Sequence, residues 1–210
     1  MLLHCLRLAA SVALLWVVPA LAQSAPTGAP AWVAALRDGG YVIVVRHGAT
    51  YADQADTNPL DPKDTTHQRQ LNDAGRAAAK SMGDALRTLK IPVGKVQTSH
   101  FQRAVETGTL LGFGEVSPTA DLAEGGLVVS PNEYNRRTAA LRALASTPPP
   151  AGTNIVLITH KPNIVDAFGK DWFDVREGEA SIFRPDGKGG FTAVARVQAA
   201  DWARLAMAAP

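Results

Sequence analysis

The chain reads Tyr41-Val42-Ile43-Val44-Val45-Arg46-His47-Gly48 where an apolar run of strand length ends in a charged tripeptide. In an open α/β sheet, ligands bind in the loops beyond the carboxyl ends of the strands. His47 in such a loop is a candidate nucleophile, and Arg46 beside it favours an anionic substrate. This stretch therefore predicts a buried strand with a reactive site at its end.

Apolar runs of strand length alternate with segments of helical period, which predicts an α/β fold with a mostly parallel sheet covered by helices. No internal repeat or second domain is visible in the sequence. The predicted strands are Tyr41–Val45, Lys95–Thr98, Asn154–Thr159, Glu179–Arg184 and Phe191–Val197. The predicted helices are Ala31–Asp38, Asp73–Leu89, Gln102–Leu111, Pro131–Ala145, Pro162–Phe168 and Ala200–Ala206.

The N-terminal residues have the pattern of a cleaved secretory signal peptide. Arg7 precedes an apolar stretch, Leu8 to Leu21, and Ala20-Leu21-Ala22 forms an A-x-A cleavage site. The stretch is shorter than the roughly 18 to 20 residues that span a bilayer. We therefore expect a signal peptide at 1–22, an N-terminal extension at 23–34 and a single domain at 35–210. The expected location is periplasmic or secreted, without a stable membrane anchor; an uncleaved anchor is the alternative.

Composition argues against several classes of function. The formal net charge is only +2, so nucleic-acid binding is not favoured. The single cysteine, Cys5, lies within the predicted signal peptide, which leaves the mature chain without a disulfide or thiol chemistry. The remaining histidines stand singly, without the paired spacing of zinc sites. We expect no metal and no cofactor.

Two further segments place charged or titratable groups at strand ends. The predicted strand Asn154–Thr159 runs into His160, which would meet His47 if the two strands were neighbours. The segment Ser99–Thr107 begins a helix and places Arg103 in its first turn, where free N–H groups and the guanidinium could hold a phosphate. Pairing of Arg103 with a surface carboxylate, Glu106 or Asp121, is the alternative.

These motifs resemble those of the histidine phosphatase superfamily, also called the phosphoglycerate mutase-like superfamily. The opening motif resembles Arg46-His47-Gly48-x-Thr50, and the second resembles Ser99-x-x-x-Arg103-Ala104-x-x-Thr107. The third resembles Thr159-His160, and Leu71–Arg76 is similar to the segment that opens the first long helix. The resemblance covers roughly residues 35–206.

The resemblance implies a three-layer α/β/α sandwich and a metal-independent phosphatase. His47 would attack phosphorus and form a phosphohistidine that water hydrolyses. Arg46, Arg103 and His160 would surround the phosphoryl oxygens with positive charge. To keep the attacking nitrogen of His47 free, its other nitrogen should donate to a backbone carbonyl.

The resemblance leaves the proton donor for the leaving group open. In one large branch the acid is a glutamate after the second motif, and Glu124 is the nearest match. Glu177 and Glu179 are reserves. In the other branch an aspartate follows the second histidine, where this chain has Lys161, which could add positive charge near the substrate.

Smaller contributions are expected from residues around the first motif. Gly48 would let the backbone pass close to the phosphate, and Thr50 would either donate a hydroxyl or serve only as a turn residue. Asp53 stands where many cytoplasmic members carry asparagine, so it would face a substrate hydroxyl or solvent. His67 and His100 are expected to be surface or capping residues.

The leading hypothesis is an exported phosphomonoesterase acting on a small phosphorylated substrate. A non-catalytic phosphate-binding or scaffold protein that keeps the pocket is the alternative. Among exported bacterial members, one group resembles phosphatases for the phosphorylated heptose of lipopolysaccharide core, so a sugar phosphate of that core is one substrate class. Nucleotides, other phosphosugars and phosphohistidine proteins stay open, as does the oligomeric state.

Overall fold

A computed structural model of the chain describes residues 29–58, 61, 63–124 and 129–208. The signal peptide predicted at 1–22 lies outside the described residues, as does the first half of the extension predicted at 23–34. Within the described ranges, no helix is both long enough and apolar enough to cross a membrane.

Six helices and six strands alternate along the described chain. All of the predicted helices and strands are present, with small differences at their ends. In chain order the elements are α1 Ala31–Arg37, β1 Val42–Arg46, α2 Asp73–Thr88, β2 Val93–Ser99, α3 Gln102–Leu111, β3 Val116–Thr119, α4 Pro131–Ser146, β4 Asn154–Thr159, α5 Lys161–Phe168, β5 Ala180–Pro185, β6 Phe191–Val197 and α6 Asp201–Met207.

The strands form one sheet in the order β3-β2-β4-β1-β5-β6. The strands β3, β2, β4 and β1 are parallel to one another, whereas β5 is antiparallel to β1 and β6 is antiparallel to β5. This confirms the predicted mostly parallel α/β fold. Because β1 and β4 are adjacent with Arg46 opposite Thr159, the residues that follow, His47 and His160, leave the sheet side by side.

The strand β3 was not predicted from the sequence. Its four residues include Pro118, and the burial pattern of the strand is largely exposed. Proline is tolerated at the edge of a sheet because no neighbour needs its missing N–H group. A short polar edge strand therefore lacks the apolar pattern that identified the other five.

Helices cover both faces of the sheet, so the molecule has the three α/β/α layers that the resemblance implies. In β1, Ile43 and Val45 face one apolar cluster and Val42 and Val44 face the other, and all four are buried. Such burial on both faces is typical of a central parallel strand. Helix α1 buries Val33, which lies within the N-terminal extension predicted at 23–34.

The start of α2 is built directly onto the loop that follows β1. Asn72 caps the helix by accepting from Gly75 N at 2.8 Å, as expected from a polar residue at this position. A side chain at Gly75 would come within 2.1 Å of Ala49 O, so only glycine permits this approach. The close approach fixes the backbone of the loop that carries His47.

Candidate active site

Two buried histidines lie together at the carboxyl ends of β1 and β4. Their ring centroids are 5.2 Å apart in an edge arrangement. His47 N donates to Thr159 O at 3.0 Å, which continues the pairing of the two strands by one residue. The parallel sheet therefore brings together two residues that are far apart in the sequence.

One ring nitrogen of His47 is fixed by its own backbone. Nδ1 lies 2.8 Å from Gly48 O, and since a carbonyl only accepts, Nδ1 carries the proton and Nε2 keeps its lone pair. Burial lowers the pKa of His47 well below its usual range, and His160 and Arg103 act in the same direction. His47 is therefore neutral near neutral pH, in the tautomer that a nucleophile needs.

Arg103 enters the site from the first turn of α3 and is fully buried. Its Nη1 donates to Asp56 Oδ1 at 2.9 Å, and its Nη2 contacts the carboxylate of Glu124. The guanidinium carbon lies 4.6 Å from the centroid of the Phe101 ring. Two carboxylates and one aromatic face thus hold this positive charge beside the histidines.

The surface pairing considered for Arg103 does not occur. Glu106 accepts from Arg76 Nε at 2.7 Å, and Asp121 accepts from Arg136 Nη1 at 2.6 Å. Both surface carboxylates are therefore engaged by other arginines.

Arg46, the last residue of β1, is held by partners in the segment before β5. Nη1 donates to Val175 O at 2.9 Å, and Nη2 lies 3.4 Å from Glu177 Oε1. Thr50 Oγ1 donates to the same carboxylate oxygen at 3.0 Å. The hydroxyl of Thr50 is thus committed to Glu177 in the structure and orients the partner of Arg46.

Gly48 and Thr107 connect the first two motifs. Gly48 N donates to Thr107 Oγ1 at 3.0 Å, and Thr107 Oγ1 donates to Arg103 O at 2.7 Å. The backbone beside His47 is therefore linked to the helix that carries Arg103.

Glu124 lies between Arg103 and His160. Its Oε1 is 3.2 Å from His160 Nδ1, while His160 Nε2 is 2.8 Å from Ser99 Oγ. Burial alone would raise the pKa of Glu124, but His160 and Arg103 outweigh it and hold the pKa well below its usual range. Glu124 is accordingly ionised near neutral pH in this arrangement.

The segment that carries Glu124 is fixed by bonds from β4 and α5. Thr159 Oγ1 donates to Leu122 O at 2.7 Å, and Asn163 Nδ2 donates to Ala123 O at 3.1 Å. These two backbone anchors come directly before Glu124 and direct it to the ends of the strands.

Glu177 and Glu179, the other two candidates for the proton donor, bind other partners. Glu179 is fully buried, and its oxygens accept from Arg196 Nε and Gln198 Nε2, each at 2.6 Å. Glu177 binds Arg46 and Thr50, as described above. Of these three candidates, Glu124 is the carboxylate that lies against a site histidine.

Asp56 and Arg69 belong to the site but were missed in the sequence. Asp56 Oδ1 accepts from Arg103 Nη1 and from Arg69 N, both at 2.9 Å. Asp53, the aspartate of this loop that the family resemblance singled out, is exposed in the structure. The loop between β1 and α2 has no hydrophobic period, so no sequence signal distinguishes the two aspartates.

Three other residues considered in the sequence take no part in the ion pairs of Arg46 and Arg103. Lys161 Nζ lies 4.8 Å from the Phe173 ring centroid. His67 is exposed and bonds Asp64. His100 is half-buried beside Phe101, where burial lowers its pKa.

Several solved structures share this fold. The protein histidine phosphatase SixA, complexed with tungstate, has a TM-score of 0.55 and 20% identity, over 77% of this chain and 98% of that one. A phosphoserine phosphatase mutant from Entamoeba histolytica, in complex with phosphoserine, has a TM-score of 0.51 and 13% identity, over 76% and 97%. YhfR from Bacillus stearothermophilus has a TM-score of 0.52 and 16% identity, over 73% and 95%. At such identities the likeness concerns the fold alone.

Sequence comparison adds a match at the level of the family. A search of curated proteins found no match. A family model described as "Histidine phosphatase superfamily (branch 1)" matches residues 42–130, a range that includes the first two motifs, Asp56, Arg69 and Glu124. Over these residues the chain matches the histidine phosphatase superfamily, in agreement with the fold that it shares with the solved structures.

Proposed function

We propose that this phosphatase hydrolyses phosphate monoesters through a phosphohistidine on His47, without a metal ion. One observation carries the proposal: Nδ1 of the buried His47 is bonded to Gly48 O, which leaves Nε2 unprotonated. A neutral imidazole whose other nitrogen is held in place is an activated nucleophile.

The charged neighbours of His47 fit the demands of phosphoryl transfer. In the first step Nε2 of His47 forms a bond to phosphorus, and the bond between phosphorus and the ester oxygen breaks. Arg46, Arg103 and His160 stabilise the charge on the three equatorial oxygens. In the second step water attacks phosphorus and the P–N bond breaks, which releases inorganic phosphate and restores His47.

Glu124 supplies the proton in this proposal. Its acid form donates to the leaving oxygen, and the resulting carboxylate accepts the proton of the attacking water. Because Glu124 is ionised beside Arg103, it must first take up a proton. A bound phosphoryl dianion competes for Arg103 and repels the carboxylate, and both effects raise the pKa of Glu124.

Steady-state turnover tests the proposal. Purified protein is assayed on p-nitrophenyl phosphate and on a panel of alkyl, sugar and nucleoside phosphates, beside His47→Ala. We expect turnover by the wild type that is lost in the variant. A wild type that is inactive on the whole panel but binds phosphate would support the non-catalytic scaffold instead.

The solved relatives suggest the first substrates to assay. One is a protein histidine phosphatase and another was solved with phosphoserine, so phosphohistidine proteins and phosphoserine belong in the panel. A sugar phosphate of lipopolysaccharide core belongs there as well, because the N-terminal pattern resembles that of exported members.

We also propose that the protein is exported. The support is the apolar stretch and the A-x-A site at 20–22. N-terminal sequencing of protein recovered from the periplasm or medium should begin at Gln23. Intact protein in the membrane fraction that begins at Met1 would contradict export with cleavage.

A further inference from the structure

We propose that Arg69 is a third phosphate-binding arginine of this site, and that its guanidinium donates to the phosphoryl group of the substrate. The proposal rests on the proposed function for the identity of that substrate. Arg69 lies in the loop between β1 and α2, directly before the segment that caps α2.

The backbone of Arg69 is tied to Arg103. One oxygen of Asp56 accepts from Arg69 N and from Arg103 Nη1, each at 2.9 Å. The preceding residue is anchored nearby, because Gln68 Oε1 accepts from Gln102 N at 2.7 Å. This part of the loop is therefore fixed against the start of α3, where Arg103 enters the site.

The side chain of Arg69 lies within electrostatic range of Arg46. Burial lowers the pKa of Arg46, Glu177 opposes this shift, and the positive charge of Arg69 lowers the pKa further. Two guanidinium groups so placed repel each other, and an anion that binds both removes the repulsion. A phosphoryl dianion is such an anion.

Unused donors point to the same ligand. Within the described part of the chain, the Nε atoms of Arg46, Arg69 and Arg103 are each buried and have no hydrogen-bond partner. A buried N–H donor without an acceptor is costly, and three such donors on the arginines of one site favour a ligand rich in acceptors. The phosphoryl oxygens would accept from these three N–H donors, which no carboxylate of the described residues engages.

Arg76, a few residues further along, differs from Arg69 because its Nε has a hydrogen-bond partner. Its Nε donates to Glu106 at 2.7 Å, and its Nη1 lies 3.4 Å from Asp73. Its donors are used within the protein, so Arg76 has no need of an external anion. This makes Arg76 a matched control for Arg69.

The test compares Arg69→Gln with Arg76→Gln by titration with inorganic phosphate and by competitive inhibition with vanadate. We expect Arg69→Gln to weaken both by roughly 10- to 100-fold, the usual effect of losing a hydrogen bond to a charged group. The melting temperature should stay near that of the wild type. Arg76→Gln should bind phosphate and vanadate within about twofold of the wild type. A folded Arg69→Gln protein with unchanged affinities would overturn the proposal.

A second measurement on the wild type does not depend on how the variant folds. Phenylglyoxal modifies arginine side chains, and mass spectrometry reads the rate at each position. Inorganic phosphate should slow modification of Arg69 and leave that of Arg76 unchanged. Equal rates at Arg69 with and without phosphate would contradict the proposal. If phosphate protects Arg69 but no ester is hydrolysed, the proposed function fails while this inference stands.

Discussion

The strand ends and the loops contribute to the active site in different ways. Arg46 ends β1, and His47 and His160 directly follow β1 and β4, whose parallel register fixes where each side chain starts. Asp56 and Glu124 come from irregular segments held by ion pairs to Arg103. The proposed nucleophile therefore stands at the end of a buried strand, and the carboxylates that balance charge stand on irregular segments.

The largest expected effect is a loss of kcat when His47, at the end of β1, is replaced. His47→Ala removes the attacking nitrogen, so kcat should fall by at least about 10⁴-fold. Steady-state assays on p-nitrophenyl phosphate measure this. His67→Ala changes an exposed histidine and should stay within about twofold of the wild type. Substantial turnover by His47→Ala would place the nucleophile elsewhere.

The next effect concerns the loop carboxylate beside His160. Glu124→Gln removes the acid, so alkyl phosphates, with poor leaving groups, should lose roughly 10²- to 10³-fold in kcat. In the aryl ester p-nitrophenyl phosphate the leaving oxygen departs with little help from a proton, so the loss in kcat should be far smaller. The ratio of kcat values on the two esters is the measurement. Equal losses on both would show that Glu124 is not the proton donor.

A smaller effect is expected at Asp56, which orients Arg103 and the backbone of Arg69. Asp56→Asn weakens two hydrogen bonds to a carboxylate, so kcat/KM should fall about tenfold. Asp53→Asn, at the exposed aspartate of the same loop, is the control and should change little. If the two variants behave alike, Asp56 does not position the arginine.

The smallest effect is a dependence of stability on pH. The pKa of His47 is lowered in the folded protein, chiefly by burial, so below about pH 6.5 the unfolded chain binds more protons than the folded one. The free energy of unfolding should therefore fall as the pH drops from 7 to 5. Melting curves of wild type and His47→Asn across this range test it, and the variant should show the weaker dependence. Parallel curves would mean that His47 titrates alike in both states.

The same division between sheet and loops explains what the sequence could predict. The apolar runs of β1 and β4 are visible in the sequence, and the rule for parallel strand ends then brings His47 and His160 together. Arg103 was predicted because a helix start follows β2. Each of these predictions needs only local pattern and one general rule.

The residues that were missed depend on contacts that no local pattern records. Asp56 and Arg69 lie in a polar loop. Their placement follows from the bond between Asp56 and Arg103 and from the bond between Gln68, next to Arg69, and Gln102. The edge strand β3 is short and polar for a related reason, because it borders solvent on one side. Glu124 was found through the resemblance and not through its spacing alone.

Trapping the covalent intermediate tests most directly whether His47 forms a phosphohistidine. Wild-type protein is mixed briefly with a radiolabelled phosphoester, denatured and digested, and the labelled peptide is identified. We expect a label on His47 that is labile to acid and stable to base, and no label in His47→Ala. Turnover without any label on His47, or an acid-stable label on a hydroxyl side chain, would contradict it.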